Sequence, residues 1–303
     1  MNGRWALRAT RRRGLTLIEV MVAVAVVAVL MALMIPPMLA AREAARRAQC
    51  TGNLKQLIVG LINYISTCDT LPPSHLLGPG RANTSALLLV LPFMEGRSLH
   101  AAYNVDLESW DPANATVVST RISHYLCPSS VGLDTPASAI QTHRAKPYPG
   151  NSTFAPGHYG VNWGGVRVAS GRDATVAYKT PYSGLMLTVV DPDAPPGTVL
   201  KPIGLRDMTD GMANTIALAE RLDGFGWAVG GWGGSEFDVN LSPNNPGRDP
   251  SARRAFTGSV HPGGINIGLA DGSIRFLRGS VARPLWHGLI TRAGGETIKH
   301  DDF

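Results

Sequence analysis

Residues 11 to 41 read RRRGLTLIEVMVAVAVVAVLMALMIPPMLAA, and no other stretch restricts the chain so tightly. A basic cluster ends at Gly14, an apolar run follows, and a single acid, Glu19, interrupts that run near its start. From Val20 to Ala41 there is no charged residue. About 20 apolar residues rising ~1.5 Å each cover the ~30 Å hydrocarbon core of a bilayer, so residues 15–35 are expected to cross a membrane as one helix. A carboxylate near the end of such a segment costs on the order of 2–3 kcal/mol, less near an interface, and is kept when something pairs with it.

Gly14-Leu15-Thr16-Leu17-Ile18-Glu19 after a short basic leader resembles the cleavage and methylation signal of type IV prepilins and pseudopilins. The resemblance implies a prepilin peptidase that cuts between Gly14 and Leu15 and methylates the new amino group. Glu19 would then pair with the free α-amine of a neighbouring subunit during filament assembly. In lipid a carboxylate and an ammonium group compensate each other where neither is tolerated alone. Pro36 falls where a helix-bending proline is common in such subunits. Competing readings explain less. An ordinary secretory signal would end at a small-residue site, and Leu39-Ala40-Ala41 is a weak one. A twin-arginine signal at Thr10-Arg11-Arg12 meets Gly14 where a bulky apolar residue is expected. A plain anchor leaves Glu19 unexplained.

The pI near 9.5 invites a nucleic-acid partner, but the basic residues are in the wrong place for one. The leader, residues 1–14, holds five arginines and no acid, so its removal takes the net charge from +6 to +1. Those arginines outnumber Arg42, Arg46 and Arg47 beyond the span, where Glu43 intervenes. The N-terminus is therefore expected to stay cytoplasmic, with a single pass through the cytoplasmic membrane and the bulk of the chain outside.

Pro36-Pro37 predicts a break or bend after the span. Residues 36–70 continue the helix as an amphipathic segment. In it Cys50, Leu54, Leu57, Ile58, Leu61 and Ile65 recur at three- and four-residue steps, with Arg42, Arg46 and Lys55 off the stripe. The stripe is expected to dock on a globular domain spanning 71–303. Within that domain the sequence predicts a short helical or mixed segment over 85–103, interrupted at Pro92, and short strands and loops from 110 to 200. An Asp210-Gly211 turn precedes the apolar run from Ile216 to Ala219. Ile265, Ile267 and Leu269 alternate before Asp271-Gly272, and Ile274 and Phe276 alternate after it. That pattern predicts a hairpin closed by a type I′ turn, with positive φ at both Asp271 and Gly272. The fold class expected is α+β, a long N-terminal helix packed on a mostly antiparallel, β-rich domain.

Cys50 and Cys68 are 18 residues apart on the same predicted helix. That is about 27 Å along the axis, whereas a disulfide holds Cα atoms roughly 4.4–6.8 Å apart. An exported domain meets oxidising conditions, and any intrachain bond must use Cys127.

A series of segments shares one family pattern: Ala45-Arg46-Arg47-Ala48-Gln49-Cys50, Asn53-Leu54-Lys55-Gln56, Asn63-Tyr64, Leu71-Pro72-Pro73 and Leu91-Pro92-Phe93-Met94-Glu95. Leu126-Cys127-Pro128-Ser129, Asp207-Met208-Thr209-Asp210-Gly211, Asn214-Thr215 and Glu220 follow, and then His261, nine residues on, Asp271-Gly272. The chain resembles the planctomycete pilin-like family, domain of unknown function 1559, with a His-(nine)-Asp-Gly C-terminal signature, over most of residues 14 to 278. Thr51-Gly52 departs from the family's usual polar residues, and Cys68 is extra. The resemblance implies a Cys50–Cys127 disulfide that leaves Cys68 free, and structural roles for Asp210, Gly211, His261, Asp271 and Gly272. It implies no molecular activity.

Enzyme signals are weak. His261 and Asp271 could pair at a metal or in acid–base chemistry only if the hairpin brought them together, and no HExxH, Gly-x-Ser-x-Gly or paired-cysteine motif accompanies them. Asp207 and Asp210 could bind calcium, but an acid-lined turn is the simpler reading. Trp163, Trp227 and Trp232 lie near glycines and could stack on sugars, although packing against backbone is commoner. The expectation is a non-enzymatic pilin- or pseudopilin-like subunit with no catalytic residue, metal or cofactor. Its partners would be a prepilin peptidase and methylase, copies of itself or of paralogous subunits, and the membrane. The alternative is a membrane-tethered module that binds glycan or calcium and never polymerises.

Mass spectrometry of the membrane-extracted protein is expected to find N-methylated Leu15 as the first residue, and Gly14→Val to abolish that cleavage. A mature chain beginning near Ala41 would instead indicate ordinary secretion.

Overall fold

The apolar run and the amphipathic stripe form one helix, α1 (Leu17–Cys68), in a computed structural model. The structure describes residues 14–76, 84–130, 154–164, 184–186, 203–230, 235–237, 243, 257–296 and 298. Pro36 and Pro37 lie inside α1, where a break or bend was expected. A proline deletes one N–H donor, but the φ near −65° that its ring imposes is itself helical, so the backbone can continue. The chain divides into two units, Met1–Ala45 and Arg46–Phe303. In the first, the large apolar side chains from Leu15 to Leu39 are exposed.

In the second unit α1 turns one face inward. Its buried residues are Cys50, Leu54, Leu57, Ile58, Gly60, Leu61 and Ile65, the stripe read from the sequence with one glycine added. Residues 46–68 of α1 fall within the second unit. After the helix, β1 (His75–Leu76) pairs with β2 (Thr84–Ser85). Ser85 then caps α2 (Ala86–Val90) by accepting from Leu88 N. Pro92 sits in the 3-10 turn Leu91–Phe93, where a missing N–H costs nothing, before α3 (Arg97–Ala101) and α4 (Ala115–Val118).

The main sheet contains β3 (Pro156–Asn162), β4 (Ile216–Gly226), β5 (Glu236–Phe237), β6 (Gly264–Leu269) and β7 (Ile274–Arg278), in the order β5-β3-β4-β6-β7. Among the described residues of this sheet, only the β3–β5 pair is parallel. The architecture is α+β, a long N-terminal helix with a mostly antiparallel sheet.

Period-two alternation along β6 separates two layers. Ile265, Ile267 and Leu269 pack with Leu277 and with Trp286, Leu289 and Ile290 of α5 (Arg283–Ile290). The intervening residues face α1. Asn266 meets Thr51, and Gly268 lies so close to the helix that an added Cβ would stand 2.7 Å from Ile58 Cγ1. Tyr159, Val161 and Leu218 join the α1 layer of the core.

The β6–β7 hairpin forms, with a turn that differs from the expected type I′. Only Gly272 has positive φ, at 93°; Asp271 does not. Leu269 N donates to Ser273 O and Gly272 N to Leu269 O, which makes a three-residue loop closed by a left-handed glycine. The reason is tertiary. Ala270 N donates to Thr215 O and Asp271 N to Met212 O, so the loop's first residues are held against the segment before β4. Asp271 contributes through its side chain, accepting from Ser273 N and Oγ.

A disulfide joins Cys50 to Cys127, with Cα atoms 5.0 Å apart, and Cys68 is free and exposed. The bond ties α1 to the segment that follows the 3-10 turn Ser123–Tyr125. Asn53 reinforces it one turn on, donating to Leu126 O at 2.7 Å. Lys55 then donates to Gly272 O at 2.6 Å.

Melts of the full chain in detergent should separate two glycines. Gly272→Val forces a branched residue to a φ of 93° and sets its Cβ 3.0 Å from Ile62 Cδ1. It should cost about 1–3 kcal/mol. Gly52 is helical with nothing within 4 Å of an added Cβ, so Gly52→Ala should stabilise instead. The expected gain is ~0.5–1 kcal/mol. Non-reducing peptide mapping is expected to recover a 50–127 pair with Cys68 alkylated. The bond closes a separation of 77 residues. Its reduction should then lower stability by roughly 4 kcal/mol in the loop-entropy model.

Candidate functional site

Among the described residues, polar groups gather against apolar surroundings in at least two places. The first is the start of α1. Glu19 Oε2 accepts from Thr16 N at 2.8 Å and from Thr16 Oγ1 at 2.9 Å, and Glu19 N faces Thr16 Oγ1 at 3.4 Å. This is a reciprocal capping box, in which Thr16 and Glu19 satisfy donors that the helix start would leave bare. The Thr-x-x-Glu spacing is a readable signal that the reading of Glu19 as an intermolecular charge passed over. Gly14 and Leu15 lie exposed just before it.

The second place is buried in the other unit. β4 carries Glu220 next to Tyr159 of β3 in the sheet register. His261 lies three residues before the first residue of β6, Cys50 comes from α1, and Cys127 comes from the segment before β3. None of the four residues Cys50, Cys127, Glu220 and His261 is more than 2 % exposed, so water does not screen the charge of Glu220. The carboxylate is instead held by protein. Its Oε2 accepts from Asn266 N and its Oε1 from Asn266 Nδ2, both at 2.8 Å, while His261 Nε2 stands 3.5 Å from Oε1. His261 Nε2 also lies 3.6 Å from Cys127 Sγ.

Neighbouring groups hold this junction in place. Tyr159 donates its hydroxyl to Cys50 O at 3.1 Å. Burial first, and then the nearby Glu220 charge, push the Tyr159 phenol well above the usual range, against a lowering hydrogen bond from Asn53, so it remains a donor. His158 Nδ1 accepts from Cys127 N at 3.1 Å, which leaves the proton of a neutral ring on Nε2. Thr51 Oγ1 approaches Asn266 Oδ1 at 3.3 Å.

The residues singled out from sequence separate accordingly. His261 does not meet Asp271; the length of β6, about 17 Å at ~3.4 Å per residue, stands between them, and Asp271 is exposed at the far end. Asp210 accepts from Gly294 N and Gly295 N, and Asp207 from Gly204 N, so both acids are anchors for backbone turns. Gly211 takes a φ of 92°, as an Asp-Gly turn requires. Trp163 and Trp227 are buried, and Trp227 Nε1 donates to Thr120 O. They offer no stacking surface. Trp232 lies outside the described residues. Glu220, Asn266, Tyr159 and Thr51 were not picked out as site residues. The available signal was Glu220 itself, an acid that directly continues the apolar run Ile216 to Ala219.

No curated protein and no solved structure matches the chain. Residues 9–35 match the prokaryotic N-terminal methylation motif, the signal of prepilin-like proteins that a prepilin peptidase processes. It overlaps an apolar helix that is a candidate membrane anchor. Residues 39–283 match a second model, described as protein of unknown function (DUF1559), which takes in the whole junction of Cys50, Cys127, Glu220 and His261. With most of its length inside that match, the chain belongs to the DUF1559 family and carries a prepilin-type N-terminus.

Proposed function

We propose that the protein is a non-enzymatic, pilin-like structural subunit. A prepilin peptidase releases it at Gly14-Leu15, and it joins copies of itself or paralogous subunits in a type II secretion-like pseudopilus or surface filament. The observation that carries this reading is the N-terminal part of α1, an exposed apolar helix from Leu17 to Leu39 with one acid, Glu19, at its start. A helix that is apolar on every side needs lipid or other helices around it. A simple anchor gains only the local helix cap from this carboxylate, which Ser, Thr or Asn chemistry could supply without a charge in lipid. A subunit that leaves the bilayer for a helical bundle gains register from it, because only one axial offset brings Glu19 to a neighbour's terminal amine.

The second unit would then be displayed outside the cytoplasmic membrane. The tethered glycan- or calcium-binding alternative draws little support: Trp163 and Trp227 are buried, and Asp207 and Asp210 are engaged by backbone N–H groups.

Glu19→Ala is the discriminating variant. It should be processed and inserted at wild-type level, yet fall at least tenfold in sheared surface fractions examined by electron microscopy and immunoblotting. Unchanged surface filaments in Glu19→Ala would remove the assembly reading, and undiminished protein in the membrane with no filaments in either strain would favour a tether.

A further inference from the structure

A disulfide accounts for the two sulfurs at the buried junction but not for what surrounds them. The bond is neutral and needs neither an imidazole nor a carboxylate, yet four separate elements deliver Cys50, Cys127, Glu220 and His261 to one dry point. One ligand atom from each, two sulfurs, a ring nitrogen and a carboxylate oxygen, lies within 4.8 Å of every other. We propose that in the reduced protein these four residues form a zinc centre, so that the disulfide and a tetrahedral metal are alternative closures of the same junction.

The distances fit that chemistry. With Zn–S near 2.3 Å and Zn–N or Zn–O near 2.0–2.1 Å, the edges of a coordination tetrahedron are about 3.3–3.8 Å. His261 Nε2 already stands 3.6 Å from Cys127 Sγ and 3.5 Å from Glu220 Oε1. The sulfurs must separate to about 3.8 Å, which breaking their bond permits, and the widest of the other pairs, all within 4.8 Å, must close by up to about 1 Å. Two thiolates, one imidazole and one carboxylate form a borderline-soft set that suits zinc better than calcium or magnesium. Four protein ligands with no open position describe a structural metal, consistent with a subunit that catalyses nothing.

The outer contacts are those of a ligand set. Asn266 holds both oxygens of Glu220, orienting the carboxylate, and Tyr159 braces the Cys50 carbonyl. The redox step balances simply. A dithiol reductant gives two electrons and two protons to the Cys50–Cys127 bond and is itself oxidised to a disulfide. Zinc then displaces the two thiol protons to solvent. The centre does not depend on filament assembly and would exist in a tether as well.

The test uses the full chain in detergent, with Cys68→Ser so that only the junction thiols remain. The protein is reduced by a phosphine under argon, freed of reductant, and titrated with cobalt(II) as a spectroscopic probe. One equivalent should produce the visible absorption of tetrahedral cobalt together with a sulfur-to-metal charge-transfer band, and zinc should bleach both. Bound zinc should slow alkylation of the two thiols at least tenfold. His261→Ala and Glu220→Gln should each weaken cobalt binding tenfold or more. His261→Cys, which replaces one ligand by another, should keep the tetrahedral spectrum with a stronger charge-transfer band. The disulfide form should give no such spectrum. If reduction unfolds the chain, zinc should restore its circular dichroism. Absence of tetrahedral cobalt in the reduced protein overturns the proposal. So does failure of zinc to refold an unfolded reduced chain, or equal binding by His261→Ala.

Discussion

The contact between residues 50–65 of α1 and one face of the main sheet sets the terms for everything else in the second unit. Leu54, Leu57, Ile58, Leu61 and Ile65 are buried in the core that α1 shares with the sheet and with Leu87, Val90 and Leu91, and a fully buried Leu or Ile contributes roughly 1.5–3 kcal/mol. A domain cut at residue 71 would expose the whole of that face. The sheet in turn is shaped for the helix. Gly268 removes a side chain where Ile58 passes, Asn266 answers Thr51, and the β6–β7 loop ends in a carbonyl that Lys55 reaches. The segment Asn53-Leu54-Lys55 therefore has three successive duties: a clamp on Leu126, a core contact, and a tie to the hairpin.

What could be read from the sequence was what depends on near neighbours. The α1 stripe follows from a period of 3.6 and the hairpin from a period of 2, each complete within about 20 residues. Pro92 was legible as an interruption because its missing donor acts locally. The turn at 270–272 was misassigned because two backbone bonds from Met212 and Thr215, far back in the chain, choose its geometry. Pro36-Pro37 reads as a break or bend, yet both prolines lie inside α1, because a φ of about −65° is compatible with a continued helix. Only the Cys50–Cys127 half of the junction was implied, and by resemblance rather than by any local pattern. The junction's four residues span positions 50 to 261, and only the strand order β3-β4-β6, with α1 laid across it, assembles them. The family resemblance joins Cys50 to Cys127 but marks Glu220 and His261 singly and says nothing of their meeting the sulfurs.

The capping box at the start of α1 alters the energetics of the proposed assembly. Within one chain Glu19 already has partners, Thr16 N and Thr16 Oγ1, so an isolated subunit does not present a bare carboxylate to lipid. A neighbour's amine must compete with that cap, whose loss costs about 1 kcal/mol. The competition is favourable where a full opposite charge replaces a neutral donor in a medium of low dielectric. It is unfavourable where the approaching subunit is out of register. Local capping thus sharpens the selection: Glu19 is stable alone and moves only toward a well-placed cation.

Under the same reading, the junction stands where load enters the globular unit. A pull along α1 from its N-terminal end would peel residues 46 onward from the sheet in sequence order, and the first buried side chain it meets is Cys50. Asn53 and Lys55 come next, each holding a backbone carbonyl. Hydrogen bonds and apolar contacts loaded one after another open singly, as a zipper does, and the resistance is that of the weakest. A link at the leading position changes the mode, because nothing behind it is loaded until it yields. A disulfide supplies such a link covalently, and a four-coordinate metal would supply it through bonds that re-form after rupture. Either closure at Cys50 protects the contact on which the remainder of the fold depends, while the same closure placed at Ile65 would leave the helix free to peel back to it.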